Sequence, residues 1–243
     1  MTGLARLQAF LQDPPPRHVF EISATGIAGA QLNGTAPEIN FCALPAGTIE
    51  ISPAKENVAN AEAFEAAVHT LAGVSAGKKR RAALILPDYC SRVAVIDFDT
   101  LPSEAEERHA LVRFRMKKSV PFDIDGAALS YYAQPAAGPK AKIEVVVAVT
   151  ALEIVARYEA PFRAAGFHTG LVTTSALAAL NLLDPVGITV LAKLSGSALT
   201  VAVLEESALK LVRCVELDRV DTEEVEAVLL PTLAFVEDEL GKT

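Results

Sequence analysis

Hydrophobic positions along this chain alternate between strand-like and helix-like periods. Residues 18–32 (HVFEISATGIAGAQL) read as strand, turn and strand, with small residues from Ser23 to Gly26 at the turn. Residues 38–52 supply further strand with turn breaks. Over 59–72, Ala63, Ala67 and Leu71 recur beside Phe64 and Val68 at helical spacing. The run AALILP at 82–87 is continuously apolar, as in a strand buried on both faces. A second strand follows at 91–98. Ser103 stands three residues before Glu106, a capping-box spacing that opens a helix over 103–118. Glu104, Glu106 and Glu107 near its start, and Arg113, Arg115, Lys117 and Lys118 near its end, complement the helix dipole. Val120-Pro121-Phe122 stops it. Next come a strand at 128–134, a loop at 135–140, a strand at 142–150 and a helix at 151–165 closed by Gly166. A strand at 167–173 and a helix at 175–183 complete this stretch. Residues 187–217 read as a three-stranded meander with turns at 195–197 and 205–207. The last helix, 221–241, opens at Asp221, and Pro231 is expected to kink or split it.

This alternation predicts an α/β fold. The 243 residues suffice for one large domain or two medium ones, and 51% apolar content supplies the cores. The stretch 4–11, ahead of the triple proline at 14–16, predicts a short amphipathic helix packed on the surface. Docking on a membrane surface or a partner is its alternative reading. No signal-peptide pattern and no run of about 18 apolar residues is found, so no membrane span is expected. The net charge of −8 disfavours nucleic acid as a partner. Cys42, Cys90 and Cys214 are scattered without a CxxC pair, which suits core thiols in a reducing compartment. Four His lack HExxH spacing, so no metal site is expected. The basic run at 76–81 (AGKKRR) reads as a solvated connector.

A weak internal echo adds topology. Strand–turn–strand at 18–32 is repeated at 188–204, with Ser23-Ala24-Thr25-Gly26 and Ser195-Gly196-Ser197 at the two turns. Two such units, each followed by helices, resemble the plan of the actin, Hsp70 and sugar-kinase fold. There, small-residue turns bring backbone N–H groups to the phosphates of ATP. Residues 82–134 further resemble PilM, the cytoplasmic actin-like protein of type IV pilus assembly. A strand ends in Leu-Pro, a second strand leads to another Leu-Pro, an acidic helix start follows, and Val-Pro-Phe precedes the Tyr-Tyr strand. Residues 145–183 are similar to the next PilM segment, and GspL and FtsA share the plan. The resemblance implies an actin-like, ribonuclease H-like duplicated α/β fold with an inserted α/β subdomain. Its parts would be an N-terminal lead at 1–17, a first actin-like subdomain at 18–81, an insert at 82–150 whose last strands are shared, and a shortened second half at 151–243. No further strand or Gly-Gly turn follows the last helix, so the second half is expected either to be trimmed or to continue beyond Thr243.

The departures from the family pattern set the functional expectation. Where the family has a first turn resembling D-I-G-S-x-x-x-K, this chain has Glu21-Ile22-Ser23-Ala24-Thr25-Gly26-Ile27-Ala28. Where the second turn resembles D-I-G, it has Lys193-Leu194-Ser195. A cation cannot replace a carboxylate in metal chemistry, although it can pair with a phosphate. The degenerate nucleotide-site candidates are therefore Glu21, Ser23, Ala24, Thr25, Gly26, Lys193, Ser195, Gly196 and Ser197. The plainer alternatives are an exposed strand end at Glu21, a snorkelling Lys193 and an ordinary hairpin at 195–197. No catalytic residue, metal or cofactor is expected, and ATP held without turnover stays open as a role for the degenerate turns. The resemblance implies a cytoplasmic scaffold, peripheral to the inner membrane through its partners, that binds the tail of a PilN-like membrane protein. Arg113, Arg115, Lys117 and Lys118 are its candidate contacts, with a solvated helix face as the alternative. Two other readings stay open. One is an ATPase or small-molecule kinase using Asp88, Asp97 or Asp99; the other is a GspL-like secretion component.

Overall fold

The computed structural model describes residues 16–33, 36–73, 80–135 and 142–241. The strands are β1 (His18–Ile22), β2 (Gly26–Asn33), β3 (Ala36–Ala43), β4 (Arg80–Leu86), β5 (Arg92–Phe98), β6 (Ala127–Ala133), β7 (Ile143–Ala151), β8 (Phe167–Thr174), β9 (Ile188–Ser195), β10 (Ala198–Glu205) and β11 (Ala208–Glu216). The helices are α1 (Ala61–Ala72), α2 (Ala105–Met116), α3 (Leu152–Ala164), α4 (Ser175–Leu180) and α5 (Thr222–Leu240).

Three sheets organise these elements. The first runs β3-β2-β1-β4-β8. Its first three strands form an antiparallel meander, and β4 and β8 join in parallel. Alternation along the strands puts Phe20, Ile22, Ile27, Leu84 and Leu86 on one face. They pack against Phe64 and Val68 of α1 and Ile154, Tyr158 and Phe162 of α3. Phe20 and Phe162 meet with ring centroids 4.8 Å apart. Each such side chain, fully buried, contributes roughly 1.5–3 kcal/mol.

The second sheet, β5-β7-β6, is antiparallel and carries α2 on its apolar face. Val112 and Met116 of the helix pack on Val145, Val147 and Val149. The third sheet, β11-β10-β9, is a meander followed by α5. Its central strand β10 is buried on both sides. Leu199 and Val201 face Val228 of α5, whereas Ala202 and Leu204 face Val95 and Val146 of the second sheet. Two βββ–helix units are therefore present, β1–β3 with α1 and β9–β11 with α5, as the sequence echo predicts.

Gln134, just past β6, stitches the second sheet to the third. Its Nε2 donates to the Leu209 carbonyl at 2.7 Å and its Oε1 accepts from the Leu209 amide at 2.7 Å. Beside it Lys210 pairs with Glu144 at 2.8 Å. A buried amide side chain here imitates a strand partner and satisfies both backbone groups of Leu209.

Several boundaries differ from the sequence reading, each for a local reason. Helix α2 starts at Ala105 with Glu104 as N-cap and no side-chain cap, so the Ser103 capping box does not form. Arg108 donates to the carbonyls of Pro102 and Ser103, which fixes the chain ahead of the helix. Helix α1 starts at Ala61 because the Asn60 side chain accepts from Ala63 N at 3.1 Å. Helix α4 ends at Leu180, where Asn181 Nδ2 turns back to the Leu177 carbonyl at 3.3 Å. Strand β3 spans Ala36–Ala43; the chain beyond it is a loop closed by an Ile49–Val58 bridge. Buried Asn57 braces that loop through the Ser52 and Lys55 carbonyls, both at 2.7 Å, and accepts from the Tyr158 hydroxyl at 3.1 Å.

Helix α5 continues through Pro231 as one element. The carbonyl deprived of its donor belongs to Ala227, on the exposed face of the helix where water can serve it. Arg80 and Arg81 lie in β4, not in a solvated connector. Arg80 donates to the Ala72 carbonyl at 2.6 Å and the Ala165 carbonyl at 3.0 Å, tying down the ends of α1 and α3. Strand pairing places α3 and β8 with the first sheet, whereas the resemblance starts the second half at residue 151. The expected helix at 4–11, most of the basic run at 76–81 and most of the loop at 135–140 lie outside the described residues.

Candidate functional site

The end of β1, the start of α4, and strands β9 and β10 meet at the junction between the first and third sheets. The turn after β1 closes on itself. Ser23 N donates to the Gly26 carbonyl at 2.9 Å, and Gly26 N donates to Ser23 Oγ at 3.2 Å. The Ser23 hydroxyl also lies 3.2 Å from Thr25 Oγ1. Two of the amides that a phosphate would need are thus engaged inside the turn. Gly26 is required by crowding rather than by backbone angle. A Cβ built there would lie 2.6 Å from the Cys42 carbonyl oxygen and 2.3 Å from Phe41 Cζ. Ala24 is half-buried and Thr25 exposed at the tip.

The second turn is a two-residue hairpin loop, Gly196-Ser197, between paired Ser195 and Ala198. Gly196 has φ +61 while Ser197 does not have positive φ, the pattern of a type II′ turn. Leu217 N donates to the Ser197 carbonyl at 2.8 Å, which anchors the loop to the end of β11.

Between these turns lies a polar chain that the sequence motifs do not announce. Glu21, at the end of β1, accepts a hydrogen bond from the Ser175 hydroxyl at the first residue of α4. The next amide of α4, Ala176 N, donates to Asp88 Oδ1 at 2.6 Å. Asp88 Oδ2 accepts from Lys193 Nζ at 3.1 Å and from Thr200 Oγ1 at 3.1 Å. Glu21 and Asp88 are therefore held by adjacent residues of one short helix. Asp88 in turn reaches β9 and β10 of the other half.

Asp88 is 7% exposed and sits in the one-turn helix after β4. A buried carboxylate must be matched or neutralised. Here three donors and one positive charge match it. Lys193 is partly exposed, but its ammonium is committed to Asp88 rather than to an open anion site. The sequence offered Asp88 only as one of three stray acids; its pairing with Lys193 joins residues 105 apart. Asp97 and Asp99 are elsewhere, on the rim of an open groove of about 590 Å³ in the inserted subdomain.

The charges beside the two turns are the Glu21 and Asp88 carboxylates and the Lys193 ammonium. An ammonium stands where the resemblance implies a metal-side carboxylate, and it is paired. Among the described residues no group of three or more His, Cys, Asp or Glu side chains is placed to hold a metal ion.

The four basic candidates at the C-terminal end of α2 and just past it divide into separate roles. Arg113 donates to the carbonyls of Ile124 and Ala127 and braces the turn before β6. Arg115 lies over the Phe98 ring at 5.4 Å and lines the open groove. Lys117 and Lys118 are exposed at the helix end. Phe114, on the same helix, is 74% exposed. Among the described residues no helix is long and apolar enough to cross a membrane.

No protein-family model matches the chain, and no curated protein matches it. Solved structures do. A chain of the PilM–PilN type IV pilus biogenesis complex superposes with a TM-score of 0.70 at 18% identity, covering 94% of this chain and 76% of that one. The cytoplasmic domain of EpsL, an inner-membrane component of the type II secretion system of Vibrio cholerae, gives a TM-score of 0.58 at 11% identity, covering 91% and 77%. A Bacteroides thetaiotaomicron protein with an actin-like ATPase fold gives 0.53 at 12% identity, covering 98% and 80%. At these identities the likeness establishes architecture. The chain has the actin-like ATPase fold, in the form that a chain of the PilM–PilN complex shares over nearly all of its length.

Proposed function

We propose that this protein is a non-catalytic scaffold of a type IV pilus assembly apparatus. In this reading it lies at the cytoplasmic side of the inner membrane and binds the cytoplasmic tail of a PilN-like protein. Lys193 supports the scaffold role most directly. Its ammonium is 3.1 Å from Asp88 and ties the two halves together, at a position where an ATP-hydrolysing relative would present a carboxylate. The superposition on the PilM–PilN complex supports the choice of partner. The open groove beside Arg115, which Asp97, Asp99 and Lys142 also line, has exposed Phe114, Lys117 and Lys118 on its flank and offers a polar surface of mixed charge for an extended tail. EpsL supports a second reading, a component of a type II secretion system with the same scaffold logic.

Co-purification with the tails of PilN-like and GspL-partner-like membrane proteins encoded beside this gene tests both readings. Retention of a pilus-type tail, lost on the double change Arg115→Glu and Lys118→Glu, is expected. Retention of a secretion-type tail alone would move the protein to the second reading. Retention of neither would remove the scaffold reading.

A further inference from the structure

A cavity of about 180 Å³ opens beside Asp88, at the meeting of all three sheets. The hydroxyl-bearing side chains of Tyr89, Ser119 and Thr174 line part of it, and Val93, Leu177 and Val212 give it an apolar wall. Arg92, the first residue of β5, also lines it. Its Nε is buried and has no hydrogen-bond partner. Among the described residues no carboxylate lies within ion-pair distance of its guanidinium.

The other charge-bearing groups of the wall do not answer it. Asp88 is already matched by Lys193, Thr200 and the Ala176 amide. Burial raises the Cys214 thiol to about 11, so it stays neutral near pH 7. Burial, with the charge of Glu216, also raises the Tyr89 phenol, which stays a donor. A guanidinium carries five donors in a planar fork suited to carboxylates, and an unmatched one in a half-closed apolar cavity is costly.

We propose that this cavity binds a small organic carboxylate with a short apolar chain, its two oxygens on Arg92 and its chain against Val93, Leu177 and Val212. The size fits. At roughly 30 Å³ per water the cavity equals about six waters, room for a carboxylate and about three or four carbons. One positive charge matches one negative charge, and a dianion would leave its second charge buried near Asp88. The site is separate from the groove proposed for the tail, so it stands or falls on its own.

Isothermal titration of the full chain with sodium butyrate, against sodium sulfate and sodium chloride at matched ionic strength, tests it. Saturable butyrate binding at about millimolar concentration is expected, with sulfate weaker. Arg92→Gln should weaken butyrate at least about tenfold while the thermal melt stays cooperative. Ser119→Phe, at an exposed rim position, should block the cavity without touching the core. The site is overturned by sulfate binding tighter than butyrate or by no saturable butyrate binding. Unchanged butyrate affinity in a folded Arg92→Gln protein also overturns it. If Arg92→Gln does not fold, the rim variant decides, and full butyrate binding by Ser119→Phe overturns the site.

Discussion

Lys193 Nζ lies 3.1 Å from Asp88 Oδ2 and joins a strand of the third sheet to the end of a strand in the first. Removing one member of a buried pair strands the other, which typically costs about 3–5 kcal/mol. Asp88→Ala should therefore lower unfolding stability by about that amount, because the Ala176 amide and Thr200 hydroxyl lose their acceptor as well. Lys193→Met should cost less, since the ammonium is partly hydrated and Asp88 keeps two donors. Denaturant unfolding of both single variants and the double variant measures the coupling. A double variant that loses the sum of the two single losses would mean the pair does not link the halves.

Much of the fold is legible in the sequence because burial sets the period of each element. The continuous apolar run of β4 and the meander at 187–217 read directly. What did not read were contacts between distant residues. Asp88 and Lys193 are separated by 105 positions, and Asp88 sits in no recognisable motif. The Ser103–Glu106 spacing suggested a capping box, but the helix starts one residue later than that box requires, with Glu104 as its N-cap. Arg80 looked like part of a solvated run because only the folded chain brings the ends of α1 and α3 to it. Of the basic residues on α2, sequence spacing could not separate the brace Arg113 from the exposed Lys117 and Lys118.

Gln134 completes strand-like pairing with Leu209, so its loss should loosen one interface rather than one core. Gln134→Ala should destabilise the protein by about 1–3 kcal/mol, because both backbone groups of Leu209 are left buried and unpaired. Hydrogen exchange should quicken at Leu209 and its neighbours in β11, while β1 and β4 keep their protection. Faster exchange spread evenly over all three sheets would contradict that localisation.

Gly26→Ala tests the first turn. Its new methyl would meet the Cys42 carbonyl, which is backbone and cannot swing away as the exposed Phe41 ring can. The expected loss is about 1–3 kcal/mol, typical of forced overpacking. Gly196→Ala should cost less space but more backbone strain, because φ there is +61. Thermal melts of the two variants would separate crowding from strain. A neutral Gly26→Ala would mean that β2 and β3 are further apart than described.

Alkaline pH offers a test of the buried thiols. Burial raises Cys214 to about 11 and Cys90 to about 12, from an ordinary value near 9. The unfolded chain therefore loses these protons first. Their stabilising contribution is complete below about pH 9 and is lost as pH rises towards 11 and 12. Unfolding free energy should fall over that window, and Cys90→Ala with Cys214→Ala should flatten the fall. At pH 8, alkylation should reach part-exposed Cys42 before buried Cys90. Equal labelling of these two at native pH would contradict the burial of Cys90.

The scaffold reading is tested most directly by titrating a PilN-like cytoplasmic tail into the full chain, with and without Mg²⁺ and ATP, while released phosphate is followed. The expected result is tail binding at tens of micromolar or tighter, the same in both conditions, with no phosphate released. Absence of tail binding, or phosphate release that Glu21→Ala abolishes, would contradict it.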